Sequence, residues 1–199
     1  MEYVRGETVN SLLQKSFEPP EQTQAKQEEL FRRVAFAFEE LLRIPVPPNT
    51  PPSSVSGSYI RHPFFKYTEA PRLYDNAEQL EQHINLLVRN LSKEPMVYCF
   101  SDLNGGNFII NDDEIVVVDF ADLNILPLTF AKYLLLVHGY DGLGPHIRPW
   151  VNFADTDDDP DNVSVLVKLQ APLVQSNTFD EISDRIPGGR NPDVEQNQA

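Results

Sequence analysis

A single cysteine, Cys99, serves the whole 199-residue chain, so no internal disulfide can form and a hydrophobic core must hold the fold. No apolar stretch approaches the roughly 20 residues that cross a bilayer. The longest, Phe130 to Val137, reads as a core element. The opening Met-Glu-Tyr-Val-Arg lacks the basic and then apolar character of a secretory signal. Positive charge is scarce too: 16 Lys and Arg stand against 30 Asp and Glu, for a formal net charge of -14. Such a surface repels phosphate backbones and anionic lipid at long range, so neither nucleic acid nor membrane is an expected partner. A soluble, cytoplasmic protein with one ordinary domain is the expectation. The Asn-x-Ser sequons at Asn90 and Asn162 have meaning only in a secreted chain.

What the chain does have is helical periodicity and one dense cluster of polar residues at strand ends. Thr8 is placed to cap a short helix bearing Val9, Leu12, Leu13 and Phe17, which Pro19-Pro20 should stop. From Thr23 to Arg43, Leu30, Phe31, Val34, Phe38, Leu41 and Leu42 recur at spacings of three and four, predicting a long amphipathic helix. Residues 44–74 mix Pro, Ser and Gly with aromatics and read as a packed irregular segment. A second helix is predicted over Asn76 to Ser92, an enclosed one over Leu128 to His138, and another over Asp161 to Gln175. Met96 to Phe100 reads as a strand, and Phe108 to Ile110 with Ile115 to Val118 as a β-hairpin. The fold class is therefore α+β and mainly helical.

Between and after these strands stand Asp102, Asn107 and Asp119. Asp102 and Asn107 are five apart across Asn104-Gly105-Gly106, and Asp119 follows the second hairpin strand. A carboxylate beside a reacting hydroxyl can orient it and accept its proton, while an amide oxygen and a second carboxylate can hold magnesium against phosphates. The bland account makes Asp102 and Asn104 turn-formers, Gly105-Gly106 suppliers of positive φ, and Asp119 and Asp122 caps of the next helix or turn. Cys99, between aromatics, reads as a buried small apolar residue. His62, His83, His138 and His146 lack zinc-ligand spacing. The acidic run Asp155 to Asp161 has Pro160 where a calcium loop needs glycine, and Leu166 where it needs glutamate.

Asp102-x-x-x-x-Asn107, a hydrophobic strand, and then Asp119-Phe120-Ala121-Asp122 resemble the catalytic loop and metal-binding motif of protein-kinase-like folds. The resemblance is to the aminoglycoside phosphotransferase family, whose text is H-G-D-x-x-x-x-N followed by I-D-x-x-D/E. Met1 to Thr8 is similar to the hinge between its two lobes, and Gly57 to Tyr74 to a segment of fungal members. The resemblance implies a hinge-like segment over 1–7, a C-terminal lobe over 8–175 whose β-hairpin carries the motifs, and a disordered tail over 176–199. It further implies Asp102 as catalytic base, Asn107 and Asp119 as magnesium and ATP-binding residues, and Asp122 as the second acidic position. Phe100-Ser101 replaces the family's His-Gly, and Phe cannot make an imidazole's hydrogen bond.

The text holds no Gly-rich phosphate loop, and none of its six lysines lies in an apolar strand pattern ahead of a helix. It therefore resembles the C-terminal lobe alone. Two functions stand: ATP-dependent phosphoryl transfer to a hydroxyl of a small molecule when complete, or a non-catalytic kinase-like binding or scaffold module. Without a partner lobe, the surface around Met1 to Val4 and the catalytic loop should expose apolar area and favour self-association.

Overall fold

Two three-stranded antiparallel sheets carry the motif residues, and helices pack around them. The structure, a computed structural model, describes residues 4–15, 20–84, 90–137, 142–153 and 161–175. Residues 1–3 of the hinge-like segment, Phe17, His138, the acidic stretch 155–160 and the expected tail lie outside that description.

A short strand β1 (Glu7–Thr8) leads into helix α1 (Val9–Gln14), and the Thr8 hydroxyl accepts the Ser11 N–H at 3.2 Å, the cap read from sequence. The long helix α2 spans Pro20–Arg43, so Pro20 opens this helix instead of merely stopping the one before. Proline's fixed φ suits the first turn, where its missing N–H costs nothing. Val34, Ala35, Ala37 and Phe38 are buried, and Phe31, Leu41 and Leu42 pack against the same core. Phe36 lies off this stripe and is exposed.

Segment 44–74 is irregular but packed, as its composition predicts. It contains strand β2 (Ser53–Ser54) and a 3-10 turn over Lys66–Thr68, and it buries Ile60, Phe64, Phe65, Ala70 and Tyr74. His62 is fully buried here. Its Nδ1 accepts the Phe64 N–H at 3.1 Å, so Nε2 carries the proton and donates to the Phe130 carbonyl at 3.3 Å. Burial holds the imidazole neutral, down to a pKa of about 3, against the smaller opposing effect of the Phe130 carbonyl. The unfolded chain binds this proton first, so stability is expected to fall as pH drops below about 6.5, continuing toward pH 3. Urea midpoints across that range, compared with those of His62→Gln, test this: the variant should lose the His62 share of the slope.

Helix α3 (Ala77–Ile84) is shorter than the predicted Asn76 to Ser92. Residues 85–89 fall outside the description, and Asn90 at φ 58° followed by a 3-10 turn over Leu91–Lys93 shows that no helix reaches Ser92. Asparagine tolerates the left-handed region that ends helices. Strands β3 (Met96–Phe100), β4 (Phe108–Asn111) and β5 (Glu114–Val117) match their predicted positions. The β4–β5 hairpin turns at Asp112-Asp113, pairing Asn111 with Glu114 and Phe108 with Val117. Strand β6 (Leu123–Pro127), helix α4 (Leu128–Leu134), helix α5 (Leu143–Ile147) and helix α6 (Asp161–Gln175) complete the described chain. Helix α4 is enclosed, as its sequence predicts, but its helical span stops four residues before His138. Neither β6 nor α5 is legible as a separate element in the sequence.

One sheet has the order β1-β4-β5 and the other β2-β6-β3, with β6 at its centre. Gly6, at φ 131°, lets β1 lie against β4: a Cβ there would stand 2.4 Å from the Ile110 carbonyl oxygen. The β3 end and the β4–β5 hairpin thus present the motif residues from rigid strands. No described helix is long and apolar enough to cross a membrane.

Candidate active site

Strand β3 ends in buried Cys99 and Phe100, and after buried Ser101 the chain leaves the core at half-buried Asp102. A loop returns through the 3-10 turn Gly105–Asn107 into β4. Asn107 Nδ2 donates to the Asp102 carboxylate at 2.9 Å and to its backbone carbonyl at 3.1 Å, so the two ends of the Asp102-x-x-x-x-Asn107 motif are bonded directly. The Asn104 side-chain oxygen accepts the Gly106 N–H at 2.6 Å and the Asn10 amide at 3.1 Å, fastening the loop to α1. Turn formation by Asn104 is therefore real and coexists with the motif geometry.

The glycines act differently from the expectation. Neither Gly105 nor Gly106 has positive φ. Gly105 instead lies against α1, where an added Cβ would stand 2.3 Å from the Asn10 side-chain oxygen. Gly105→Ala is expected to displace that amide, break its bond to Asn104 and cost about 1–2 kcal/mol. In an Asn10→Ala background the same substitution should cost distinctly less, which a urea-denaturation double-mutant cycle measures.

The hairpin brings Asp119 to the loop. The β4–β5 ladder continues one step past its last strand pair, with the Val118 N–H donating to the Asn107 carbonyl at 2.9 Å. Asp119 is the next residue. It sits in the left-handed region (φ 58°, ψ 74°), and its exposed carboxylate accepts the Ala121 N–H at 3.3 Å, opening a 3-10 turn over Phe120–Asp122. The capping role read for Asp119 is thus observed, while Asp122 closes the same turn. Asp122 Oδ1 is buried without a hydrogen-bond partner and lies 3.6 Å from Arg61 Nη1. Burial raises the Asp122 pKa above the usual carboxylate value; Arg61 opposes this, and the charges of Asp102 and Asp119 add to it. Asp122 is therefore within electrostatic reach of both Asp102 and Asp119.

Phe100 packs edge-on against Phe108 and Phe120, at 5.7 and 5.9 Å between ring centroids. The Ser101 N–H donates to the Asp122 carbonyl at 3.1 Å. Two residues that sequence reasoning missed, Arg61 and Asn124, meet at this corner. Arg61 is the guanidinium facing Asp122, and it also stands 3.6 Å from Glu69. The readable signal for Asn124 was a lone amide inside the apolar run Leu123-Asn124-Ile125-Leu126.

The other titratable residues play no part here. Cys99 is fully buried, which pushes its thiol up to about 12 and leaves it an inert apolar group, as expected. His83 pairs with the Tyr74 hydroxyl at 2.5 Å, and His146 stacks on Phe31. Among the described residues no three His, Cys, Asp or Glu side chains are grouped to hold a metal ion.

No curated protein and no solved structure matches the chain. A family model described as the phosphotransferase enzyme family matches residues 1–155, a span that includes the Asp102 to Asn107 loop, the hairpin and the Asp119 to Asp122 turn. The chain therefore belongs to the phosphotransferase enzyme family, and with that membership comes a kinase-like fold.

Proposed function

We propose that the chain is the catalytic, C-terminal lobe of an aminoglycoside-phosphotransferase-like kinase of the fungal type, moving the γ-phosphoryl of ATP to a hydroxyl of a small molecule. The observation that carries this reading is the direct bond from Asn107 to Asp102, with Asp119 one residue beyond the hairpin partner of Asn107. In this reading Asp102 is the base. It orients the acceptor hydroxyl and takes its proton as the acceptor oxygen bonds to the γ-phosphorus and the bond to the ADP oxygen breaks.

The residues fit magnesium. Asn107 commits its nitrogen to Asp102, which leaves Oδ1 as its ligating atom, and Asp119 offers an exposed carboxylate. Both are hard oxygen donors, and magnesium bound with phosphates takes only one or two protein carboxylates or their equivalents. When bound, the ion would neutralise phosphate charge during transfer. Asp122 keeps its position through Arg61 and shapes the local charge.

None of the six lysines lies in a strand, which is the observation favouring the second reading, a scaffold without catalysis. The discriminating experiment expresses the chain alone and with any coding sequence that precedes it, then measures Mg-ATP binding by calorimetry and ATP turnover with polyhydroxylated acceptors. Binding and turnover are expected from the longer form. Binding by neither form overturns the kinase reading and leaves the scaffold.

A further inference from the structure

We infer that Asn124 is the positioning residue of this site: its buried amide fixes where Asp102 stands relative to Asp119 and Asp122. The consequence for rate rests on the phosphotransfer reading, whereas the positioning itself rests on geometry alone.

Asparagine is depleted in strands, yet Asn124 sits in the central strand β6, fully buried among Leu123, Ile125 and Leu126. A polar residue in such a place needs its bonds satisfied, and this one has them. Its Oδ1 accepts the Arg61 N–H at 3.2 Å, while Nδ2 donates toward the Arg61 carbonyl (2.7 Å), the Ser101 hydroxyl (2.8 Å) and the Asp122 carbonyl (2.9 Å). Two N–H groups serve three acceptors, so one is shared between two of them. The Ser101 N–H closes the ring by donating to the same Asp122 carbonyl. Ser101 immediately precedes Asp102, and Asp122 ends the turn that Asp119 opens. One amide therefore clamps together the entry to the catalytic loop and the turn that carries the other two carboxylates.

The Ser101 hydroxyl occupies the position where the resembling family has glycine, which has no side chain to bond. Phe100, next to it, contributes packing and no hydrogen bond. The serine–asparagine bond thus supplies orientation from the strand side, while Asn10 holds Asn104 from the α1 side. Asn124 reaches the carboxylates only through Ser101 and the Asp122 backbone, so its role is positioning.

The test uses the full chain, isotopically labelled, with Ser101→Ala and Asn124→Leu. Ser101→Ala removes the bond from Asn124 and the weak 3.8 Å bond that the hydroxyl donates to Cys99 Sγ, without opening the core, and it decides the matter if Asn124→Leu does not fold. The readouts are hydrogen exchange of the 103–107 backbone amides and the Asn107 side-chain amide, and broadening of the Asn107 signal by Mn2+ as the probe ion. Ser101→Ala is expected to speed exchange in the loop about tenfold, to leave exchange in α2 and α4 unchanged, and to weaken the Mn2+ effect. Where the wild-type chain turns over Mg-ATP, kcat should fall with KM unchanged. Unchanged loop exchange in the folded variants overturns the inference, and so does faster exchange spread evenly through α2 and α4. Absence of Mg-ATP binding in the chain, both alone and with any coding sequence that precedes it, alongside the expected exchange pattern overturns the kinase reading and upholds the clamp.

Discussion

Asp102→Asn is expected to reduce phosphoryl transfer by about 10^2–10^4-fold, the range that positioned general bases contribute. The substitution is chosen because an amide oxygen can still accept the Asn107 Nδ2–H bond that spans 2.9 Å in the wild type. Loop geometry then survives, and only proton acceptance is lost. Asp102→Ala would remove both together and leave the Asn107 amide without its side-chain partner, so a loss on that change says less. A second readout comes from Asp122, whose pKa is raised chiefly by burial and further by the Asp102 charge. Neutralising Asp102 should move the Asp122 titration down toward the ordinary carboxylate range, measurable by carboxyl carbon shifts. The folded-state pKa of Asp122 lies above its unfolded value, so the ionised form is the disfavoured one in the fold, and easing it should make Asp102→Asn no less stable above pH 5. Equal transfer rates in wild type and variant would remove Asp102 from the mechanism and favour the scaffold.

The parts of the fold legible in sequence are those where one local pattern decides the structure. Val34, Phe38 and their neighbours announce α2 because a 3.6-residue period has one buried face, and Val116 with Val117 announces a hairpin strand because β-branched residues bracket an acidic turn. Strand β6 escaped for a physical reason. Lying between β2 and β3 with both faces covered, it has no alternation to read, and its Asn124 and Pro127 argue locally against a strand. Helix α5 contains Gly144 and Pro145, so packing and not propensity makes it helical. The same division runs through the site. Asp102, Asn107 and Asp119 were readable because their spacing is local and tied to a hairpin. Arg61 and Asn124 meet across 63 residues of chain, and only the pairing of β6 in its sheet brings Asn124 to Ser101.

Glu94→Leu is expected to destabilise the fold by roughly 3–5 kcal/mol, because a buried carboxylate that three donors depend on would be replaced by a side chain that accepts nothing. Glu94 is nearly inaccessible, just past the Leu91–Lys93 turn. Its carboxylate accepts the Thr129 N–H at 2.8 Å, the Thr129 hydroxyl at 2.6 Å and the Asn162 amide at 2.8 Å. Helix α4 needs this help, since Pro127 stands at its N-cap position and has no side-chain acceptor. A glutamate from 35 residues away in sequence does the capping, and its negative charge lies at the favourable end of the helix dipole. The same carboxylate anchors α6 through Asn162, a buried residue whose sequon is thereby closed to modification in the folded chain. Glu94→Gln should cost less, about 1–2 kcal/mol, because its one oxygen can take the Thr129 N–H while the Thr129 hydroxyl turns to accept from the new amide, and only the bond from the Asn162 nitrogen, which would then face a donor, is lost. Leucine has no such arrangement open to it. Urea unfolding of the two variants should therefore separate clearly, and equal losses would mean that packing volume, rather than the three donors, is what Glu94 contributes. Neither change should alter the Asp102–Asn107 bond, so a Glu94→Gln protein that remains folded should retain any phosphotransfer the wild type has.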